Sequence, residues 1–250
     1  MGGRNRVVVV TGAGSGIGRA VAERLIAAGD AVVAIGRRTA PLVSIGAGRL
    51  DEGAVVPMAM DVTEPAAPAR LRELVADRFG RLNGLVNCAG LARFAPLPAA
   101  DLRDLDRMLA VNLRAPAALI QALLPALLAA GGSVVNVTSV GGVLAMPGRS
   151  LYGASKAAIN SLTRSLAVEL APRVRVNAIV PGPVDTPMYE DLGLDPEQTE
   201  TLRNGLLRST PMARFGRPEE VAGWVAALLD PKLSGWVTGA VFAVDGGRSA

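Results

Sequence analysis

Short apolar segments of strand length alternate along this chain with longer segments of helical periodicity. The apolar runs predict seven strands, at Val7–Val10, Ala31–Ile35, Ala54–Met60, Gly84–Val86, Ser133–Thr138, Val174–Val180 and Ala240–Val244. The segments between them predict helices at Ile17–Ala28, Leu71–Phe79, Leu102–Ala130, Tyr152–Leu170 and Glu219–Leu229. Parallel strands need long crossovers, and helical crossovers bury both faces of the sheet, which fits strands with almost no polar position. We therefore expect an α/β fold: a Rossmann-like, doubly wound, seven-stranded parallel sheet with helices on both faces.

The 250 residues contain neither an internal repeat nor a Pro/Gly/Ser-rich linker, so we expect a single domain over residues 1–250. One region is less regular, because Pro181–Arg217 carries five prolines and lacks strand alternation. It follows the sixth predicted strand, near the carboxyl ends where such sheets bind ligands. Residues 183–215 are therefore a candidate lid over a substrate pocket, and an ordinary surface excursion is the alternative.

Composition and charge limit the cellular location and the classes of binding partner that we expect. Apolar residues make up 50% of the chain, but no run of about 18 residues lacks a polar or charged interruption, and we expect no membrane span. The segment Met1–Arg6 leads directly into the first strand and leaves no room for a signal peptide, so we expect a cytoplasmic protein. The net charge is only +4, the arginines are dispersed and aromatic residues make up 3%, which argues against a nucleic-acid partner.

Histidine is absent from the chain, and Cys88 is its only cysteine. These two facts exclude an internal disulfide, the usual zinc ligand sets and every Ser-His-Asp or Cys-His catalytic device. We therefore expect no metal site and no hydrolase mechanism that needs a histidine. A small molecule is the expected partner, with a few arginines available for an anionic ligand.

A glycine-rich turn joins the first strand to the first helix. Glycine lets the backbone approach a pyrophosphate closely, and the N–H groups at a helix N-terminus favour negative charge. The position between a β-branched strand and an amphipathic helix makes this a strong signal, and a turn without a ligand is the alternative. The candidate residues are Gly12, Gly14, Ser15, Gly16, Ile17 and Gly18. The spacing of Gly12, Gly16 and Gly18 resembles the Thr-Gly-x-x-x-Gly-x-Gly turn of the short-chain dehydrogenase/reductase family.

The end of the second predicted strand bears on the choice of dinucleotide. An acidic residue at this place would bind the ribose 2′-hydroxyl of NAD(H). The chain instead has Gly36, Arg37 and Arg38, and an arginine fork suits the 2′-phosphate of NADP(H). NADP(H) is therefore the expected cofactor, with NAD(H) as the alternative. For Arg37 and Arg38 themselves, the alternative is a solvated pair of side chains that binds no ligand.

A tyrosine and a lysine lie four positions apart on a predicted helix, so Tyr152 and Lys156 emerge on the same face. A nearby ammonium group favours a phenolate, and we expect it to bring the pKa of Tyr152 down toward neutral pH. Ser139 precedes Tyr152 by 13 residues and resembles the family's serine that donates to the substrate oxygen. Asn112, in the predicted helix Leu102–Ala130, resembles the family's asparagine that holds a proton-relay water, and a core asparagine bound to water is the alternative.

The resemblance extends from Val7 to Gly247. It implies further cofactor contacts from Asp61, Val62, Asn87, Ala89, Gly90, Pro181, Gly182, Val184 and Thr186, besides Tyr152 and Lys156 themselves. The segment Val237–Gly247 resembles a terminal strand that packs across a subunit interface, which implies a homo-oligomer, either a tetramer or a dimer.

These residues imply an NADP(H)-dependent oxidoreductase that interconverts a ketone and a secondary alcohol. The expected substrate pocket is mostly apolar and consists of Ser139, Leu144, Met146, Tyr152, Met188, Tyr189 and Leu192. We therefore expect a hydrophobic substrate, such as a polyketide-like ketone, a steroid-like alcohol or a 3-oxoacyl thioester. The alternative is a non-catalytic nucleotide-sensing protein of the same fold. The complete Asn-Ser-Tyr-Lys set argues against it, since a sensor needs no proton donor.

Overall fold

A computed structural model describes residues 6–45 and 55–250. Within them, seven strands form one parallel sheet in the order β3-β2-β1-β4-β5-β6-β7, which confirms the predicted doubly wound fold. The strands are β1 Val7–Thr11, β2 Ala31–Gly36, β3 Val55–Ala59, β4 Gly84–Asn87, β5 Ser133–Val137, β6 Arg175–Pro181 and β7 Val241–Val244. Residues 1–5 and Ala54, predicted as the start of the third strand, lie outside the described residues.

Helices cover both faces of the sheet. They are α1 Gly16–Ala27, α2 Thr39–Ile45, α3 Ala67–Phe79, α4 Leu102–Leu109, α5 Ala115–Ala130, α6 Ser150–Leu170, α7 Pro196–Arg208, α8 Pro218–Leu229 and α9 Pro231–Ser234. Val8 and Val10 of β1 join one core with α1 and α8, whereas Val7 and Val9 join the other with α3 and α5. Successive side chains of a strand point to opposite faces, so a strand covered on both sides is apolar at each position.

The strand order reverses at β1, which pairs with β2 on one side and with β4 on the other. Such a switch point leaves a crevice at the carboxyl ends of the two strands, where ligands bind. The Thr11 hydroxyl at the end of β1 fixes one side of this crevice, because it accepts hydrogen bonds from the N–H groups of Cys88 at 3.0 Å and Ala89 at 3.1 Å. The loop after β4 is thereby held against the end of β1.

The predicted helix Leu102–Ala130 is interrupted. A wide π-type turn, Ala110–Arg114, joins α4 to α5, and turns of this type occur frequently at functional sites. Asn112 lies in this turn and is buried. Its side chain accepts a hydrogen bond from the N–H of Leu91 and donates one to the C=O of Leu91, both at 2.9 Å. The side chain thus ties the loop after β4 to the junction of α4 and α5.

Length and composition alone make one described helical segment, Leu102–Ala130, a candidate membrane span. The core helix of a soluble protein meets the same two criteria. Leu119, Leu123 and Leu127 of α5 pack in the core on one face of the sheet. The segment is therefore weak evidence for a membrane.

The less regular region Pro181–Arg217 contains the helix α7, which was not predicted from the sequence. Asp195 caps this helix: its carboxylate accepts from the N–H of Gln198 at 2.7 Å, and the Gln198 side chain accepts from the N–H of Asp195 at 3.1 Å. Pro196 occupies the first helical turn, where a missing N–H costs nothing. The short helix α2 was not predicted either.

Candidate active site

Two glycines set the shape of the turn between β1 and α1. Gly12 has a φ of +68°, and a Cβ there would lie 2.8 Å from the backbone N of Ala89. A Cβ on Gly18 would lie 2.3 Å from the C=O oxygen of Gly12. Side chains do not fit at such distances, so backbone packs directly on backbone here. All the predicted turn residues, from Gly12 to Gly18, lie at this carboxyl edge of the sheet.

The N-terminus of α1 is suited to an anion. The side chain of Ser15, the residue before the helix, makes no capping hydrogen bond, and the first turn contains no acidic residue. The N–H groups of a first turn lack partners within the helix, and the helix dipole favours negative charge there. The side chain of Thr186 lies over the same turn, with its Cγ2 atom 3.0 Å from the position of a Cβ on Gly16. This geometry fits the pyrophosphate of a dinucleotide.

Charged groups lie where β2 and β3 end. Arg37 and Arg38 follow β2 directly and are exposed. Asp61 follows β3, and its Oδ1 accepts from the N–H of Thr63 at 2.9 Å and from the Thr63 hydroxyl at 2.7 Å. These hydrogen bonds, with a smaller contribution from the charge of Arg37, hold the pKa of Asp61 below its ordinary value. The neighbouring Val62 packs against the core on one face of the sheet.

The loop after β4 connects the glycine turn with the predicted catalytic residues. Asn87 is buried, and its amide donates to Oδ1 of Asn136 at 2.8 Å, so this side chain faces the interior. The backbone N–H of Ala89 is bound to the end of β1. A Cβ on Gly90 would lie 3.6 Å from Nζ of Lys156, which places this glycine directly beside the lysine.

The segment after β6 carries the remaining expected cofactor contacts. β6 ends at Pro181, and the N–H of Gly182 donates to the C=O of Val244 at 3.1 Å. Val184 is buried and forms an isolated bridge with Gly216. These contacts fix the chain just before Thr186, the residue that lies over the glycine turn.

The structure brings the predicted serine and tyrosine together. Ser139 follows β5, and its hydroxyl accepts from the N–H of Gly141 at 3.0 Å. Ser139 also lowers the pKa of the Tyr152 phenol, so the two hydroxyl groups lie near each other. Tyr152 belongs to the first turn of α6 and is only 6% exposed. A Cβ on Gly141 would lie 3.2 Å from its ring, so α6 approaches the end of β5 closely.

Lys156 lies one helical turn after Tyr152 and is 4% exposed. Its Nζ donates to the C=O of Val137 at 3.2 Å. Asn112 reaches the same helix, since its amide donates to the Ser155 hydroxyl at 3.0 Å, and that hydroxyl donates to the C=O of Tyr152 at 2.8 Å. All four predicted catalytic residues therefore meet at the junction of β5, α6 and the π-type turn.

The prediction that Lys156 lowers the pKa of Tyr152 is wrong for this structure. Burial raises the pKa of Tyr152 above its ordinary value of 10.0, and the hydrogen bond from Ser139 and the charge of Arg149 only partly oppose it. The ammonium group of Lys156 is directed at Val137 instead, and burial lowers the pKa of Lys156 to about 8. Burial also raises the pKa of the Cys88 thiol to about 12, which agrees with a packed residue and not a nucleophile.

Most of the predicted pocket residues surround Tyr152. Leu192 is buried in a small apolar cluster with Tyr152, and Tyr189 packs against that cluster. The Cε atom of Met146 lies 3.4 Å from a Cβ placed on Gly141, and that of Met188 lies 3.7 Å from one placed on Gly90. Leu144 is half-buried, and no described contact joins it to this cluster.

Sequence reasoning missed several side chains around Tyr152. The Phe94 ring meets the Tyr152 ring edge-on, with centroids 5.4 Å apart. Cζ of Arg149 lies 5.6 Å from the Phe94 centroid. Arg203 of α7 stacks on two further aromatic rings, with its Cζ 5.1 and 4.6 Å from their centroids. Arg149 precedes Tyr152 by three positions, a spacing that indicates a shared helix face, but no local pattern links Phe94 or Arg203 to the site.

A glycine turn fit for a pyrophosphate lies at the same sheet edge as Ser139 and the buried Tyr152 and Lys156. Together they define a dinucleotide-dependent oxidoreductase that acts on CH–OH and C=O groups. Comparison with known proteins supports this class of enzyme. Residues 12–249 match the protein family described as enoyl-(acyl carrier protein) reductase. The chain belongs to the short-chain dehydrogenase/reductase family.

Relatives of known name cover nearly the whole chain. The chain is 38% identical over 246 residues to the 3-oxoacyl-(acyl-carrier-protein) reductase of Thermotoga maritima, with 97% of each chain covered. It is 39% identical over 249 residues to the cis-4-hydroxycyclohexanecarboxylate dehydrogenase of Sinomonas cyclohexanicum, covering 98% of this chain and 97% of that one. The crystal structure of a 3-ketoacyl-(acyl-carrier-protein) reductase from Brucella melitensis with NADH matches with a TM-score of 0.88 and 29% identity over 99% of both chains.

The burial of Lys156 predicts a pH-dependent loss of stability. The pKa of this lysine falls from 10.5 to about 8 on folding, so its positive charge destabilises the folded state below about pH 8, and the effect vanishes as the pH rises through 10.5. We expect Lys156→Met to be more stable than the wild type at pH 7 by about 1–3 kcal/mol, with the difference closing between pH 8 and pH 10.5. Urea unfolding across this pH range measures it.

The matched control is Lys232→Met, because Lys232 is an exposed lysine in α9. This variant should follow the wild type at each pH. A Lys156→Met protein that is less stable than the wild type by a constant amount at all pH values would contradict the assignment.

Proposed function

We propose that this protein is an NADP(H)-dependent ketoreductase that interconverts a hydrophobic ketone and a secondary alcohol. The observation that carries the proposal is that the buried Tyr152, one helical turn from the buried Lys156, packs against the turn that follows Ser139, at the sheet edge that holds the glycine turn. A nicotinamide cofactor bound along this edge would supply or accept the hydride. The protein's own groups then have to orient the carbonyl oxygen and move one proton.

Tyr152 is proposed as the proton donor in the reducing direction. Burial raises its pKa, so at neutral pH the phenol carries the proton that a developing alkoxide needs. The Ser139 hydroxyl beside it can donate a second hydrogen bond to the same substrate oxygen and hold it in place. The phenolate left after transfer is stabilised by the positive charge of Arg149.

Lys156 and Asn112 are proposed to serve binding and proton resupply. The ammonium group of Lys156 lies beside Gly90, and Oδ1 of Asn112 lies 3.7 Å from a Cβ placed on that same glycine. Lys156 would donate to the nicotinamide ribose, and its pKa of about 8 lets it exchange protons near neutral pH. Asn112 holds the surrounding loop through its two hydrogen bonds with Leu91.

Preference for NADP(H) over NAD(H) rests on the end of β2. Gly36 has no side chain to bind a ribose 2′-hydroxyl, and the exposed Arg37 and Arg38 offer guanidinium groups to a 2′-phosphate. The Asp61 carboxylate lies within the influence of Arg37, and its Oδ1 atom already accepts two hydrogen bonds from Thr63. The remaining proposed cofactor contacts are Gly12, Gly14, Ser15, Gly16, Ile17, Gly18, Val62, Asn87, Ala89, Gly90, Pro181, Gly182, Val184 and Thr186.

A hydrophobic substrate is proposed from the lining of the site. Leu192, Met146, Met188 and Phe94 surround Tyr152 with apolar surface. Relatives named for 3-oxoacyl and cyclohexane substrates support a ketone with a carbon chain or ring next to the carbonyl group. The segment 183–215 is proposed as a lid over this surface, since its Tyr189 and Leu192 pack directly against the cluster.

A cytoplasmic homo-oligomer, a tetramer or a dimer, is also proposed. The support is an aromatic surface at the β7 edge of the sheet. Trp236 is fully exposed, and the Trp224 and Phe242 rings, both substantially exposed, lie 4.8 Å apart. Exposed apolar patches of this kind mark contact surfaces between proteins.

Replacing Tyr152 with Phe tests the proton donor. The ring and its contact with Phe94 remain, but the hydroxyl is lost. We expect kcat for ketone reduction to fall about 10²- to 10⁴-fold, while NADPH binding changes little. Steady-state assays of NADPH oxidation against a panel of hydrophobic ketones, with fluorescence titration of NADPH, measure both. A variant that keeps the wild-type rate would overturn the assignment.

Replacing Arg37 and Arg38 with glutamine tests the cofactor preference. Loss of charge-assisted hydrogen bonds to the 2′-phosphate should weaken NADPH binding about 10- to 100-fold and leave NADH binding unchanged. Arg78→Gln is the matched control, because Arg78 is an exposed arginine at the end of α3. Equal effects on both dinucleotides, or a wild-type enzyme that binds NADH more tightly, would contradict the NADP(H) assignment.

A further inference from the structure

Among the described residues, two arginines at this end of the site have no acidic partner: Arg149, which lies near Tyr152, and Arg248, which lies near Arg149 and Tyr189. Arg149 precedes α6 and lies close enough to Tyr152, Tyr189 and Arg248 for their charges to act on it. Arg248 acts in turn on Tyr189, so its guanidinium group reaches the same place from the end of the chain. Within residues 6–45 and 55–250, no carboxylate lies within 4.0 Å of the guanidinium of Arg149 or Arg248.

The other arginines near the site differ in this respect. Arg93 forms an ion pair with Asp191 at 2.7 Å, and Arg203 forms one with Asp185 at 3.1 Å. These two positive charges are therefore neutralised within the fold. The contrast separates Arg149 and Arg248 from arginines that hold the loops together.

The surroundings make the missing counter-charge costly. Arg149 is half-buried and packs over the Phe94 ring, and burial followed by the charge of Arg248 lowers its pKa. Arg248 donates a hydrogen bond to the Ser209 hydroxyl, but its Nε atom is buried without a partner among the described residues. Two partly buried like charges repel each other, and a bound anion removes that repulsion.

We propose that Arg149 and Arg248 bind a carboxylate carried by the substrate itself, so that the natural substrate is an oxo acid or hydroxy acid. The inference rests on the proposed ketoreductase function and assigns its substrate class. A guanidinium group binds a carboxylate through two parallel hydrogen bonds, which fixes position as well as charge. The aromatic contact from Arg149 through Phe94 to Tyr152 puts the carboxylate a few carbon atoms from the reacting carbonyl group.

With this assignment the pocket has an apolar part and a positively charged end. The apolar side chains of Leu192, Met146 and Met188 contact the carbon skeleton, and the two arginines hold one polar end. Arg149 and Arg248 are partly buried, so a charge-assisted hydrogen bond from either is stronger than one from a fully solvated arginine. Removal of either arginine should therefore affect charged substrates much more than neutral ones.

Matched pairs of acids and esters test the inference. The probes are oxooctanoates with the keto group at successive positions, each beside its methyl ester, with 2-octanone as a neutral reference. We expect the wild type to favour at least one acid over its ester by about tenfold or more in kcat/KM. Arg248→Gln should remove most of that preference, through a larger loss of kcat/KM on the acid than on its ester. Arg149→Gln should remove it too, with a smaller loss on all substrates because Arg149 also acts on Tyr152.

Arg72→Gln is the control, since Arg72 is an exposed arginine on α3, away from the site. It should keep the wild-type ratio of acid to ester. Equal rates for acids and esters in the wild type, or an unchanged ratio in Arg248→Gln, would overturn the carboxylate site while leaving the ketoreductase proposal standing.

A binding measurement covers the case in which no ketone is reduced. Ligand-observed NMR with octanoate and octanamide, which lack a keto group, reports on the anion site alone. Octanoate should bind the wild-type protein in preference to octanamide, and Arg248→Gln should lose that preference. Absence of turnover together with selective octanoate binding would reject the ketoreductase and retain the anion site, whereas equal binding of the two probes would reject the anion site.

Discussion

A lysine ammonium group buried beside a single backbone carbonyl is the constraint on which this site depends. Lys156 reaches Val137 at the end of β5 only because α6 packs closely on the turn that follows that strand. The same packing puts Tyr152 next to Ser139. The unit of β5, turn and α6 thus fixes the lysine, the tyrosine and the serine together. Burial of an amine costs stability at neutral pH, and the two apolar cores on either side of the sheet offset that cost.

The parallel sheet divides the crevice into two chemically different halves. On the side of β2 and β3 lie the exposed arginines that suit a phosphate, and between them and β4 lies the glycine turn. On the side of β5 and β6 lie the buried phenol and the apolar side chains of the segment after β6. A dinucleotide and a second small molecule can therefore meet at the reversal of strand order, with the buried phenol on the side of β5 and β6.

Much of this arrangement follows from local sequence. The strands are predicted because each is apolar on both faces, and the glycine turn and the Tyr152–Lys156 pair are predicted from short spacings within one element. The π-type turn at Asn112 was missed because it shifts helix register without changing apolar periodicity. The start of α7 at Asp195 was concealed by neighbouring prolines, although its capping residues were present. The pKa of Tyr152 was predicted in the wrong direction. The burial of the phenol and the direction of the Lys156 side chain both depend on tertiary packing, which the spacing of the two residues does not show. Phe94, Arg149 and Arg248 come together from separate loops, which no local pattern reveals.

The pKa of Tyr152 with and without cofactor tests whether the buried phenol faces the nicotinamide ring. The chain has two tyrosines, so Tyr189→Phe leaves Tyr152 as the only phenol, and its ionisation can be followed by ultraviolet absorbance. Because Tyr152 is buried, we expect a titration midpoint above the ordinary value of 10.0 in the free protein. With saturating NADP⁺ the midpoint should fall by about one unit or more, because the positive nicotinamide ring beside Tyr152 favours the phenolate. The same midpoint in both states would show that Tyr152 does not face the nicotinamide, and would contradict the account.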